Sequence, residues 1–119
     1  NDRAALDAAA EVHPYAKMAL QAALGILVCA DLPKEKYPGY WVQDCAAATE
    51  NILIAVEDKG LGAVWVGIYP REERVRALRE LLALPEHIVP FALVPLGYPA
   101  EEKPPANRFD AGRIHYNGW

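Results

Sequence analysis

The sequence has few cysteines, no metal-binding pattern and no long apolar run. Its two cysteines, Cys29 and Cys45, lie in apolar stretches and match no metal-ligand spacing. We therefore expect buried thiols in a reducing compartment and no metal site. No apolar run reaches the roughly 18 residues that a membrane span needs, and no segment resembles a secretory signal. The sequence thus predicts a cytoplasmic protein that does not enter a membrane.

Strong positive charge is also absent. The formal net charge is -4 and the isoelectric point is about 5.3. Basic residues are densest in "REERVRALR", where glutamates accompany them. This balance gives no electrostatic reason to bind nucleic acid or an anionic membrane surface. We expect small molecules or other proteins as partners.

The chain offers no arrangement typical of acid-base or nucleophilic catalysis. His13, His87 and His115 are scattered along the sequence and none has a nucleophile beside it. Each is therefore expected to be a turn or surface residue. The sequence predicts no catalytic side chain.

The composition is that of one ordinary globular domain spanning residues 1–119. Hydrophobic residues make up 53% of the chain and charged residues 24%, with no repeat or low-complexity tract. A strand is predicted over 88–99, and its prolines at positions 90 and 95 predict an edge position or a bulge. Alternation in "RIHYNGW" predicts a late strand that needs a partner sheet. Periodicity and capping signals predict helices over 3–12, 14–23, 41–59 and 70–83, a strand buried on both faces over 25–31, and an extended segment over 63–68.

The predicted helix over 41–59 has an unusually wide apolar stripe. Residues at spacings of three and four form it, and four alanines widen it further. A domain of this size has little interior to cover such a helix on most sides. We therefore interpret the stripe as a subunit interface rather than as a fully interior helix.

The segment "GLGAVWVGIYP", residues 60–70, contains three glycines. Gly60 is placed to end the preceding helix as a left-handed cap. Glycine also lets a ligand approach the main chain closely. Two interpretations follow from the residues alone: an ordinary helix-to-strand connection with Trp65 in the core, or a site where a flat aromatic ligand lies on residues 66–68.

Three stretches of the chain stand out together: "DCAAATENILIAVEDKGLGAVWVGIYP", "LALPEHIVPFALVPLGYPAEEKPPANRFD" and "HYNGW". In this order and spacing they resemble the nitroreductase family of flavin-dependent enzymes, and the similarity runs over residues 16–119. The resemblance implies an α+β fold with a mixed sheet flanked by helices, in an intertwined homodimer. It also implies FMN at the dimer interface, on the segment that matches Trp65, Val66, Gly67 and Ile68. By that match the Gly67 N–H would face the flavin N5, and the "RIHYNGW" tail would reach onto the partner.

The resemblance assigns one further cofactor residue, Arg108. The family has a basic residue after "G-Y-P" that contacts the FMN phosphate, and Arg108 in "PPANRFD" occupies that position. A guanidinium fork suits a phosphate. Many relatives have a second basic residue just before it, where this chain has Ala106 and Asn107, with Lys103 as a candidate substitute. The alternative is that Arg108 is a solvated tail residue.

The resemblance implies an oxidoreductase that passes hydride from NAD(P)H through FMN to a nitroaromatic or quinone-like acceptor. It does not specify the acceptor or the choice between NADH and NADPH. The arginine-rich opening segment of the family has no counterpart here, so we expect a piece of a protein some 50 or more residues longer. The same difference motivates the alternative of a non-catalytic dimerising or flavin-binding module.

Overall fold

The computed structural model describes residues 1–119 as three α-helices and an antiparallel sheet. The helices are α1 (Arg3–Val12), α2 (Trp41–Asp58) and α3 (Glu72–Leu81). The strands are β1 (Leu24–Asp31), β2 (Gly62–Ala63), β3 (Val66–Gly67) and β4 (Ile88–Gly97). Short 3₁₀ helices cover Lys17–Leu20, Leu32–Lys34 and Ala111–Arg113. The expected α+β class is confirmed.

Strand β4 is the centre of the sheet. It pairs antiparallel with β1 along one edge and with both β2 and β3 along the other. Every pairing within this chain is therefore antiparallel, which differs from the mixed sheet that the family resemblance implied. The residue patterns carried no information on strand direction, because apolar alternation is the same in either orientation.

A β-bulge in β4 accommodates one of its prolines. The β1–β4 register passes from Val28 opposite Ala92 to Cys29 opposite Pro90, so Phe91 is the extra residue. Pro90 lacks the amide hydrogen that a regular ladder would use, and the irregularity occurs beside it. The bulge that the prolines predicted is confirmed. The alternative of an edge strand is wrong, since β4 has partners on both sides.

The sheet separates two buried clusters. The first lies towards α1 and α3, and the second lies towards α2. β1 was expected to be buried on both faces, but within this chain only Ala30 is buried and its other residues are half-buried. The first cluster comprises Ala9, Ala16, Val66, Ile68, Leu78 and Leu93, and the second comprises Ala30, Cys45, Phe91 and Ala92.

The helix boundaries follow the capping signals closely. The Asp2 side chain accepts a hydrogen bond from the Ala5 amide at 3.3 Å, which caps α1 as expected. Gly60 has a φ of +67°, which confirms its left-handed cap after α2. α3 begins at Glu72, so Pro70 precedes its first turn rather than lying in it.

One predicted element is wrong. The helix expected over 14–23 is only the 3₁₀ turn Lys17–Leu20, which has no side-chain cap and is too short to offset the cost of helix nucleation. The strand expected in "RIHYNGW" depends on a partner sheet, so it stays a prediction. Within the single chain, residues 98–119 are all exposed and pair with no strand.

None of the helices combines the length and the hydropathy that crossing a bilayer requires.

Candidate functional site

The side chains of the 65–68 segment alternate between the two faces of the sheet. Val66 and Ile68 are buried in the cluster against α1 and α3. Trp65 points to the α2 side and lies 5.7 Å from Phe91, centroid to centroid. Trp65 therefore packs on the core, as the first interpretation of this segment expected. By the same alternation, a side chain at position 67 would point to the α2 side of the sheet.

Gly67 has open space where a side chain would lie. A Cβ placed on it would meet nothing within 4 Å, and its φ is outside the left-handed region. Neither a turn nor tight packing within this chain thus requires glycine here. An unfilled space beside exposed main chain is what the close approach of a flat ligand needs. The structure is therefore compatible with a flat ligand on residues 66–68 as well as with the packing of Trp65 on the core.

The backbone of Gly67 faces away from β4. Ile68 N–H donates to Phe91 O at 3.1 Å, and Gly67 lies opposite Ala92 in the register. In an antiparallel ladder, neighbouring residues direct their N–H and C=O groups to opposite edges. The N–H and C=O of Gly67 therefore point to the side where β3 has no strand partner.

Two side chains donate to the Gly67 carbonyl. His13 Nε2 and an Arg74 guanidinium nitrogen each lie 2.9 Å from Gly67 O. The Tyr15 N–H donates to His13 Nδ1 at 3.2 Å, so Nδ1 is the accepting nitrogen and Nε2 carries the hydrogen that Gly67 receives. The Arg74 guanidinium lies 5.5 Å from the Tyr15 ring centroid. These contacts fix the Gly67 carbonyl from both α1 and α3.

His13 was expected to be a turn or surface residue, and the expectation of a surface position is wrong. Its side chain is 1% exposed, and it is the residue at which α1 ends. The sequence signal that was available is its position directly after an apolar helix and before Pro14. That signal marks a helix end but does not show what packs on it. His87 and His115 are exposed, as expected.

Arg108 lies in the exposed tail. Its side chain takes part in no hydrogen bond or ion pair of this chain. Lys103, the candidate substitute for a second phosphate contact, is bound to Glu101 at 2.7 Å. This hydrogen bond raises the pKa of Lys103 above its ordinary value. Within one chain, therefore, no hydrogen bond or ion pair joins Arg108 to the 65–68 segment.

Open grooves lie beside the 65–68 segment rather than on it. The two larger ones, of about 850 and 490 Å³, share the β2 residues Gly62 and Ala63 and the loop after β4. A smaller one of about 210 Å³ lies between Tyr69 and α3. None of these three is lined by Trp65, Val66, Gly67 or Ile68. In the single chain, these three grooves therefore do not provide the predicted flavin site.

The exposed face of α2 carries apolar residues among polar ones. Ile54 is 60% exposed, and Ala47, Ala48 and Ala55 are exposed beside it. Of the wide apolar stripe predicted on α2, only Cys45, Thr49 and Val56 are buried within this chain. The Thr49 hydroxyl donates to Cys45 O at 2.7 Å, which satisfies the one polar side chain on this buried face. Apolar residues therefore remain on the outer face.

The surroundings of the two cysteines keep both thiols protonated and therefore unreactive. Cys45 is buried and Cys29 is half-buried, and they form no disulfide. Burial, together with the nearby Cys45, raises the pKa of Cys29 to about 11. Burial and the nearby Asp44 raise the pKa of Cys45. Both are thiols rather than thiolates at neutral pH.

Comparison with known proteins identifies the family. Residues 1–98 match the model of the nitroreductase family. A protein of Methanothermobacter thermautotrophicus named "Putative NADH dehydrogenase/NAD(P)H nitroreductase" is 50% identical over 118 residues, which cover 99% of this chain and 62% of that protein. A protein of Archaeoglobus fulgidus with the same name is 51% identical, covering 99% and 70%. This chain thus spans between three-fifths and three-quarters of the length of these relatives.

Solved structures agree with this result. The crystal structure named "Putative NADH Oxidase" from Clostridium acetobutylicum is 42% identical with a TM-score of 0.95, covering 99% of this chain and 72% of that one. A nitroreductase structure from Desulfovibrio desulfuricans, described as a complex with FMN, is 27% identical with a TM-score of 0.78, covering 99% and 68%. The family model, the sequence relatives and the fold all agree, and this chain belongs to the nitroreductase family.

Proposed function

We propose that this chain forms part of an FMN-dependent oxidoreductase that takes hydride from NAD(P)H and passes it to a nitroaromatic or quinone-like acceptor. The observation that carries the proposal is Gly67, with open space at its Cβ position and an N–H directed away from β4. Family membership supports the flavin, and one solved relative is described as an FMN complex. FMN, when bound, supplies the hydride chemistry itself.

The residues of the 65–68 segment fit a flavin ring in distinct ways. Val66 and Ile68 anchor the segment in the core, which keeps the backbone between them in place. Trp65 limits the open space on the α2 side through its packing on Phe91. The Gly67 N–H is the donor that would face the flavin N5. A fixed backbone donor suits a cofactor whose electronics the protein tunes.

Arg108 would hold the FMN phosphate. It is exposed and has no competing carboxylate within this chain, so its guanidinium is available to pair bidentately with a phosphate. No hydrogen bond within one chain joins Arg108 to Gly67, which is consistent with a site completed by other parts of the assembly. No side chain of this domain is assigned acid-base or nucleophilic chemistry.

We further propose that the domain, residues 1–119, works as a cytoplasmic homodimer. The exposed apolar residues of α2, Ile54 with Ala47, Ala48 and Ala55, support this, because a partner helix could bury them away from water. The tail over 98–119 also supports it, because its five large apolar side chains are exposed in the single chain. They are Tyr98, Phe109, Ile114, Tyr116 and Trp119, and the tail would pack them on the partner.

A second candidate, a non-catalytic flavin-binding or dimerising module, is favoured by one observation. The three grooves described above do not include the 65–68 segment. A cofactor contact outside these grooves is sufficient for weak flavin binding but does not enclose a substrate.

A visible absorption spectrum separates the two candidates. The protein produced from its natural gene is purified and mixed with FMN, and free flavin is removed. NADH or NADPH is then added without oxygen, with free FMN in buffer as the control. The oxidoreductase is supported by a protein-bound flavin band that bleaches far faster than the control. A bound flavin that does not bleach with either nucleotide supports the non-catalytic module, and the absence of bound flavin contradicts the cofactor assignment.

A further inference from the structure

The two side chains that hold the Gly67 carbonyl, His13 and Arg74, form what we call the Gly67 clamp. We propose that Arg74, with His13 as its partner in the clamp, positions the cofactor-facing backbone and supplies a positive charge that favours the reduced flavin. This inference rests on the proposed function, because it assumes that Gly67 faces FMN. It assigns positioning roles to two residues outside the 65–68 segment.

The clamp fixes the orientation of one peptide group from two directions. His13 comes from the end of α1 and Arg74 from α3, and each donates to Gly67 O at 2.9 Å. The two donors occupy both lone-pair directions of the oxygen, so rotation of the carbonyl would break at least one bond. His13 is 1% exposed and is itself held by the Tyr15 N–H. A buried imidazole that is hydrogen-bonded at both ring nitrogens is a rigid support for the backbone beside it.

Arg74 brings a charge that nothing in the chain neutralises. The ion pairs of the structure join Arg3 to Asp7, Lys34 to Asp31, Lys103 to Glu101 and Arg113 to Asp110. Arg74 takes part in none of them. Its contacts are the Gly67 carbonyl and the face of Tyr15. Its full positive charge therefore lies at the residue that would contact the cofactor.

An unpaired cation near a flavin should affect its two redox states unequally. Reduction adds negative charge to the ring system, and a nearby positive charge stabilises that state more than the neutral oxidised one. Arg74 is half-buried, which weakens screening by solvent. We expect the protein to bind reduced FMN more tightly, relative to oxidised FMN, than it would without this charge.

The test measures the two-electron reduction potential of the bound flavin in the protein produced from its natural gene. The substitution Arg74→Gln removes the charge but keeps an amide donor for Gly67 O, and Arg74→Lys keeps the charge. The matched control is Arg76→Gln, which removes the same charge from an exposed position of α3 that has no hydrogen bond to Gly67. Thermal unfolding of each variant checks that the fold is retained.

We expect Arg74→Gln to reduce the preference for reduced over oxidised FMN by about tenfold, which is a potential about 30 mV more negative for a two-electron couple. Arg74→Lys and Arg76→Gln should stay near the wild-type value. An unchanged potential in Arg74→Gln, or an equal shift in Arg76→Gln, overturns the inference and leaves the proposed function standing. A wild-type protein without bound flavin overturns both.

Discussion

His13 Nε2 lies 2.9 Å from the carbonyl oxygen of Gly67, across 54 residues of sequence. This one hydrogen bond joins the end of α1 to β3, and it is made by a side chain with almost no exposed surface. The Tyr15 N–H occupies the other ring nitrogen. Both nitrogens of a buried imidazole are therefore satisfied, and the position of the helix end and that of the strand depend on each other.

The substitution His13→Ala is expected to lower the free energy of unfolding by about 2–4 kcal/mol. It leaves a cavity and removes a partner from both Gly67 O and the Tyr15 amide. Urea denaturation measures the change. His87→Ala is the control, because that histidine is exposed and should cost no more than about 0.5 kcal/mol. Equal stability of the two variants would contradict the structural role of His13.

Gly67→Ala tests the proposed flavin contact without disturbing the fold. The new methyl group would meet nothing within 4 Å in this chain, so the unfolding free energy should stay within about 0.5 kcal/mol of wild type. Affinity for FMN should fall at least about tenfold, because the methyl group occupies the space for the ring. Flavin fluorescence titration measures it. Gly62→Ala is the control, since its Cβ makes only ordinary contacts with Pro99. Equal FMN affinity in the two variants would contradict the placement of the flavin at Gly67.

Arg108→Gln is expected to weaken FMN binding about tenfold while leaving stability unchanged. The Arg108 side chain is exposed and makes no hydrogen bond or ion pair in the single chain, so its removal should leave the free energy of unfolding unchanged. A lost charged contact to the phosphate accounts for the weaker binding. Arg113→Gln serves as the comparison, because Arg113 is equally exposed but is paired with Asp110. Riboflavin, which lacks the phosphate, should bind wild type and Arg108→Gln alike, and a large difference there would refute the phosphate role.

Ile54→Asp tests the proposed dimer. Ile54 is 60% exposed on the outer face of α2, and a carboxylate there would be buried without a partner in the proposed interface. We expect the dimer dissociation constant to rise roughly a hundredfold, as measured by sedimentation equilibrium. Leu20→Asp makes the same chemical change at a residue 51% exposed outside α2 and should have little effect. A dimer unaffected by Ile54→Asp would place the interface elsewhere.

Alkaline pH should destabilise the fold through Cys29. Burial, with Cys45 nearby, raises the pKa of Cys29 from 9.0 to about 11 in the folded state. Between these values the unfolded chain releases a proton that the folded chain keeps, so stability falls as pH rises from 9 towards 11. Allowing for the partial exposure of this thiol, we expect a loss of about 1 kcal/mol from this group. In Cys29→Ala, denaturation midpoints should fall less steeply over the same pH range, and an identical decline would contradict this account.

The sequence was most informative where one local interaction decides the structure. Asp2 caps α1, Gly60 ends α2 in the left-handed region, and the bulge occurs beside Pro90, all as predicted. Each of these outcomes depends on the chemistry of one residue and its immediate neighbours.

The sequence was least informative where distant segments meet. The direction of strand pairing and the burial of His13 depend on contacts far apart in the chain, and a local pattern does not encode them. The strand predicted in "RIHYNGW" depends in the same way on a distant element, because alternation predicts a strand but not the edge with which it pairs. For the site, the glycine pattern located Gly67 but not the two side chains that hold its carbonyl.

The bulge at Phe91 separates the register of β4 from the number of its residues. Because the bulge adds one residue, Phe91 and Ala92 both lie in the cluster towards α2, although neighbours in a regular strand face opposite ways. Without Phe91, Pro90 and Ala92 would still lie opposite Cys29 and Val28, and on the same faces of the sheet as before. We therefore expect deletion of Phe91 to keep the register of β4, with the loss of the aromatic contacts to Trp41, Trp65 and Tyr69 as its main cost.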